Sequence, residues 1–236
     1  MADLKGASVT WLGHSTVLVT TPKGSNILID PFIEQNPKFP REFSFPEKID
    51  LILVTHAHFD HTADVVPMAK KYGAPVIATF ELASYFQSRG VENIIGMNIG
   101  GTCHHADVAV TQTEARHTSG ITEDGKFFYG GVPTGYVIAI ENGPVLYHAG
   151  DTTVFSDMQL IRDLYAPEFG MLPIGDHFTM GPKAAALAVK FLGLKQVLPI
   201  HFGTWPPLIG RPDHLIQQLN DPTIKVHVIE PGETVK

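Results

Sequence analysis

The segment His56-Ala57-His58-Phe59-Asp60-His61 puts three imidazoles and one carboxylate into six consecutive positions. Imidazole nitrogen and carboxylate oxygen together suit a borderline divalent cation, with zinc the foremost candidate and manganese or iron the alternatives. A loop that was polar for solubility alone would have no reason to draw so densely on ligand-type side chains. The apolar run Leu51-Ile52-Leu53-Val54 comes just before and reads as a buried strand, so the cluster is expected in a loop at the edge of a sheet.

One short loop cannot wrap two cations, so further ligands must arrive from distant parts of the chain. Three positions share a placement just after a strand: His117 in Glu114-Ala115-Arg116-His117, Asp151 in Ala149-Gly150-Asp151-Thr152, and His201 after Val197-Leu198-Pro199-Ile200. Each alone would pass for an ordinary polar residue opening a loop; the shared placement sets them together. With a single cysteine, Cys103, an internal disulfide and a thiolate-built zinc site are both excluded.

The elements that must position these groups are short and numerous. Residues 8–11, 16–20 and 26–29 read as opening strands, with Pro22-Lys23-Gly24-Ser25 a turn between the last two. Residues 62–72 have a helical pattern stopped at Gly73-Ala74-Pro75, followed by a strand at 76–78 and a helix at 81–89. Residues 98–113 read as strands around turns, and 136–140 with 145–148 as a hairpin. A helix at 182–192 starts with Pro182 and ends at Gly193; then follow a strand at 196–200, a helix at 213–219 and a closing strand at 225–229. Residues 16–30 read strand, turn, strand, aspartate, and residues 135–151 repeat that grammar. Residues 51–56 and 197–201 are both apolar strands ending on a histidine. This points to two halves of like construction, two sheets packed face to face with helices outside, sharing one cleft.

The bulk numbers set limits. A length of 236 residues, with 44% hydrophobic and 17% charged residues, suits one globular domain spanning 1–236. The formal charge of −7 argues against nucleic acid as the main partner. Met1-Ala2-Asp3-Leu4-Lys5 lacks the basic-then-apolar pattern of a signal peptide, and no apolar run approaches the roughly 20 residues of a membrane helix. A cytoplasmic protein without a membrane partner is expected.

The motif H-x-H-x-D-H, followed in order by a histidine, an aspartate and a histidine, closely resembles the metallo-β-lactamase superfamily. Trp11-Leu12-Gly13-His14-Ser15, Leu28-Ile29-Asp30-Pro31, Asn98-Ile99-Gly100-Gly101-Thr102, Tyr147-His148-Ala149-Gly150-Asp151-Thr152 and Phe178-Thr179-Met180-Gly181-Pro182 resemble a metal-dependent hydrolase subfamily. That subfamily is similar to the ascorbate-6-phosphate lactonase and the N-acyl-phosphatidylethanolamine-hydrolysing phospholipase. The resemblance implies a four-layer αββα sandwich of two mixed sheets. It implies two divalent ions, one held by His56, His58 and His117, the second by Asp60, His61 and His201, with Asp151 bridging. A water under two cations would lose a proton near neutral pH, and Asp60 would orient it as the catalytic carboxylate.

Several residues admit two readings. His14 is either a neighbour of the cluster and its substrate or a packed histidine, and Asp30 either orients a ligand histidine or caps a turn. Asp176-His177 departs from the Gly-Gly or Gly-Asn-like pair usual in the subfamily and reads as part of an access loop or as solvated surface. His104-His105 looks like a ligand pair, but adjacent strand residues face opposite ways. His148 reads as packed, while His214 and His227 carry no pattern. Ser15, Ser119 and Cys103 lack a histidine–acid pair and are rejected as nucleophiles.

The expected activity is metal-dependent hydrolysis of an ester, lactone or phosphoester bond in a small metabolite. The rivals are a phosphodiesterase or nuclease, a di-iron redox enzyme, and a non-catalytic metal-dependent binding module. The resemblance also points toward a homo-oligomer.

Overall fold

The central strands are apolar on both faces because both faces are covered. In β3 (Asn26–Ile29), Ile27 and Ile29 join the core between the sheets while Leu28 joins an outer cluster. In β4 (Leu51–Leu53), Leu51 and Leu53 pack inward and Ile52 outward. This period of two, with both sets buried, is the signature of a sheet sandwiched between layers. The computed structural model describes residues 4–236, so the leader expectation for Met1-Ala2-Asp3 lies outside the described residues.

The first sheet adds β1 (Ser8–Trp11), β2 (Val17–Thr20), β5 (Val76–Thr79), β6 (Ile94–Met97) and β16 (Thr234–Val235), in the order β16-β1-β2-β3-β4-β5-β6. The second contains β7 (Thr102–His105), β8 (Val108–Glu114), β11 (Thr134–Ile140), β12 (Val145–His148), β13 (Phe169–Pro173), β14 (Gln196–Ile200) and β15 (Lys225–Val226). Its order is β15-β14-β13-β12-β11-β8-β7. Each sheet begins antiparallel and continues parallel past a hairpin, β2–β3 in one and β11–β12 in the other. Val9, Ile27, Leu53 and Ile77 meet Val110, Ile138, Met171 and Leu198 between the sheets. Helices α1 (Phe59–Thr62), α2 (Val65–Tyr72) and α3 (Phe80–Ser88) belong to the first half of the chain, and α2 and α3 cover the outer face of the first sheet. Helices α4 (Met158–Tyr165), α5 (Pro182–Leu192) and α6 (Pro212–Leu219) cover the second. The αββα expectation holds. No helix among the described residues is long and apolar enough to cross a membrane.

The structure corrects four details. The helix expected at 62–72 starts only at Val65, as α2; Thr62 ends the separate short helix α1, and Ala63-Asp64 part the two. Asp64 turns its carboxylate away to accept the backbone N–H groups of Ile33 and Glu34, at 2.6 and 3.3 Å. Asp60 and His61 therefore sit on a helical turn rather than in a loop. The closing strand expected at 225–229 is only β15, and the chain's last strand, β16, returns to the first sheet instead. Strand β13 escaped the sequence because it contains Gly170 and ends in Pro173. A Cβ on Gly170 would lie 2.3 Å from Leu194 Cδ1, so packing, not strand propensity, selects the glycine. Finally, the two histidine-ended strands are not equivalents: β4 lies beside β3, and the corresponding neighbour of β12 is β13, not β14.

Candidate metal centre

All the candidate residues follow the C-terminal ends of strands. The junction after β4 is organised by Asp30, just beyond β3. Its carboxylate accepts Thr55 N–H (2.8 Å), Thr55 Oγ1–H (2.6 Å) and the Nδ1–H of His61 (2.8 Å). Thr55 Oγ1 in turn accepts His56 Nδ1–H at 3.0 Å. Two histidines are thereby oriented by one buried carboxylate, one directly and one through a hydroxyl, leaving both Nε2 atoms free to face the site. Asp30 is an orienting residue, not only a cap.

His58 turns Nδ1 toward His56 Nε2 (3.0 Å) and His117 Nε2 (3.3 Å). Asp151 Oδ2 stands 3.0 Å from His201 Nε2, 3.4 Å from His61 Nε2, 3.6 Å from His117 Nε2 and 3.9 Å from His56 Nε2. One oxygen thus faces histidines of both expected ligand sets. Asp60 Oδ2 lies 3.7 Å from His201 Nε2 and 3.8 Å from His61 Nε2. The ligand atoms of His56, His58 and His117 lie within 4.8 Å of one another; so do those of His56, His61 and Asp151, and those of His14, Asp60, His61 and His201. All seven sequence-derived candidates converge, and His14 joins them.

His14 is fully buried, with Nε2 2.8 Å from Asp60 Oδ2 and Nδ1 2.9 Å from Thr204 Oγ1. Its backbone oxygen accepts both Trp11 Nε1–H and His201 N–H, locking the turn after β1 to the turn after β14. His148 is packed as expected. It donates from Nε2 to Ser15 O and accepts Gly150 N–H at Nδ1, which holds the turn into Asp151. Gly150 has φ +61°, and a Cβ there would lie 2.5 Å from Thr134 O, so no larger residue fits this approach.

The remaining candidates stand apart. His104 and His105 are on β7, where His105 bonds Asp50 O. Ser119 accepts Ala57 N–H and donates to Gly130 O, a structural link between loops. Asp176 and His177 are exposed in two successive left-handed conformations, φ +66° and +57°, which explains why glycine-like pairs suit this turn. Phe178, next in sequence, is the residue that reaches the cleft. Sequence reasoning missed Thr55, Thr204 and the aromatic walls, since none carries a ligand-type signature.

The donor set fits divalent cations. Three imidazole nitrogens converge on one point, though a single proton is all they could share at 3.0–3.3 Å. Asp151 Oδ1, His61 Nε2 and His201 Nε2 are buried without an aligned hydrogen-bond partner, a costly arrangement that a cation would relieve. Burial, then neighbouring His61, pushes the His56 and His58 imidazoles below their ordinary range, and burial takes His117 down to about 4; all three are neutral lone-pair donors at pH 7. Burial would also lower His61 and His201, but the surrounding carboxylates, Asp151 foremost, together outweigh it, raising His61 and taking His201 up to about 9. Burial would raise Asp60 and Asp151, yet surrounding histidines hold both well below the carboxylate range. Both aspartates are anions at every working pH.

Two mixed sheets between helices, with this His/Asp cluster at the strand ends, define a metal-dependent hydrolase of the metallo-β-lactamase fold. A family model described as a β-lactamase superfamily domain matches residues 25–202. The chain is 47% identical over 232 residues to a UPF0173 metal-dependent hydrolase of Koribacter versatilis, covering 98% of this chain and 99% of that one. Igni18, a metallo hydrolase from the archaeon Ignicoccus hospitalis, superposes with a TM-score of 0.84 at 36% identity, covering 97% of each chain. The metallo-β-lactamase fold protein YhfI of Bacillus subtilis shares the fold alone, with a TM-score of 0.71 at 15% identity over 98% of this chain and 99% of that chain. The chain belongs to the UPF0173 metal-dependent hydrolase family of this superfamily.

Proposed function

We propose that the protein holds two divalent cations and hydrolyses an ester, lactone or phosphoester bond of a small molecule. His56, His58 and His117 would hold one ion; Asp60, His61 and His201 the other, with Asp151 between them. The observation that carries this reading is the position of Asp151 Oδ2, within 3.0–3.9 Å of histidines from both sets. When bound, such ions supply a nucleophile at neutral pH and stabilise negative charge developing on the substrate.

The chain's own groups do the rest. Asp60, ionised and anchored by His14, accepts a hydrogen bond from the attacking water and aims its lone pair. Thr204 fixes the His14 ring from its far side, so Asp60 loses little freedom at the moment of reaction. Asp30 keeps His56 and His61 in one tautomer. A cleft of about 720 Å³ opens over the cluster, in the range of small-molecule sites.

The test joins metal analysis by mass spectrometry to a hydrolysis panel of lactones, thioesters and phosphoesters. Two zinc or manganese ions per chain, with turnover lost in His58→Ala, support the proposal. A coloured di-iron centre, or no turnover across the panel, would favour redox chemistry or a binding module instead.

A further inference from the structure

We infer that the substrate is an uncharged ester or lactone bearing an aryl or branched alkyl group, and that phosphorylated metabolites are poor substrates; this rests on the hydrolytic reading above. The loops that carry the cluster also carry large apolar side chains into the same cleft. Phe59 stands between His58 and Asp60. Beyond His117, the hairpin of β9 (Gly120–Glu123) and β10 (Lys126–Tyr129) brings Ile121 and Phe127. Phe178 follows β13, and Trp205 follows His201. Phe59, Phe127 and Phe178 are 57%, 75% and 53% exposed, an apolar lining that no other segment among the described residues covers. Apolar surface concentrated in a cleft marks where an apolar ligand gains most from leaving water.

Gly120 sharpens the point. A Cβ there would lie 2.0 Å from Phe127 Cζ, so this glycine is what allows the ring to lie across the neighbouring strand at the cleft.

The charges point the same way. Apart from the clustered histidines, the basic side chain lining the cleft is Arg89, and Glu123 on the same wall pairs with it. Tyr85 donates to the other Glu123 oxygen. A phosphate placed away from the scissile bond would find its nearest guanidinium already neutralised and a carboxylate beside it. It would lose hydration without a partner. An aryl group would instead meet Phe59 and Trp205, whose rings already pack 5.9 Å apart.

The test uses three lactones with zinc- or manganese-reconstituted protein: γ-phenyl-γ-butyrolactone, unsubstituted γ-butyrolactone and 6-phosphogluconolactone. Wild type is expected to favour the phenyl compound by at least about tenfold in kcat/KM over the unsubstituted ring, and to turn over the phosphorylated one worst. Gly120→Ala meets the Phe127 ring first and must displace it, and both this variant and Phe127→Ala should shrink the phenyl preference. Glu123→Gln frees Arg89 and should raise turnover of the phosphorylated lactone. Calorimetry on metal-stripped protein supplies a second readout, with phenyl-lactone binding weakened by Phe127→Ala. Hydrolysis without phenyl preference, or with preference for the phosphorylated lactone, overturns this inference and leaves the hydrolase standing. Binding of the phenyl lactone that depends on Phe127, with no turnover of any lactone or of the ester and phosphoester panel, would uphold the cleft assignment and sink the hydrolytic reading.

Discussion

The two sheets reach the same cluster by different means. The first delivers His56, His58, Asp60 and His61 from one junction, a tight bend after β4 that runs into a single helical turn. The second delivers His117, Asp151 and His201 one at a time, from the ends of β8, β12 and β14. Their hairpins show the same contrast. Asp30 and Asp151 follow corresponding strands, yet Asp30 faces Thr55 and the back of His61, while Asp151 faces four imidazole Nε2 atoms. A repeated architecture has thus put one carboxylate into the centre and its counterpart behind it, a division that follows from which neighbour each strand end meets.

Exchanging these carboxylates for amides is the sharpest way to break that comparison. Asp151→Asn should cost at least about 10²-fold in kcat, because it removes the charge shared by both ligand sets. Asp30→Asn should weaken cation affinity by about tenfold or somewhat more, since the histidines keep their nitrogens and lose only their orientation. Equal effects in a metal titration would erase the distinction between the two positions.

Ligand deletions separate the two sets. His58→Ala should lower the rate by about 10²-fold or more and leave one ion per chain, held by Asp60, His61, His201 and Asp151. His201→Ala should leave the complementary ion. Loss of both ions in each variant, measured by mass spectrometry, would mean that the sets do not fill independently.

Acidity distinguishes individual histidines of the cluster more gently. Burial takes His14 and His117 down to about 4. Between pH 6.5 and 4 the unfolded chain binds protons that these folded imidazoles refuse, so metal-free protein loses stability as pH falls through that window. For the buried His14 alone this amounts to about 3 kcal/mol. His201 has the opposite sign: held up to about 9 by Asp151 against the pull of burial, it contributes stability that is full below pH 6.5 and fades as pH rises through 9. The Tm of chelator-treated protein should therefore peak near pH 6.5. A Tm climbing steadily to pH 9 would contradict the contact between His201 and Asp151.

The smallest effect concerns the seam beneath the site. Tyr136 of β11 donates to Val54 O, just past β4, and accepts from Gln112, tying the second sheet to the loop of the first. Tyr136→Phe should cost about 1–3 kcal/mol in denaturant unfolding, because the Gln112 amide and the Val54 carbonyl lose a buried partner. Activity should change far less than in any ligand variant.

Much of this protein was legible before folding was considered. Four ligand-type residues in six positions cannot escape one another, so their shared chemistry follows from chain connectivity alone. The hairpin of β11 and β12 and helix α5 were legible for the same reason, since turn chemistry and end signals act over a few residues. Strand β13 and the β9–β10 hairpin were not, because Gly170 and Gly120 answer to side chains that pack against them from elsewhere.

The amino-acid order by itself settled the type of centre, since His and Asp side chains carry their ligand chemistry into any fold. Tertiary structure alone decided that Asp30 serves from behind, that His14 reaches Asp60 across 46 positions at 2.8 Å, and that Phe127 joins Phe59 and Trp205 at one cleft. Those assignments depend on distances between strand ends, which are set by how two sheets twist and pack rather than by any local pattern of residues.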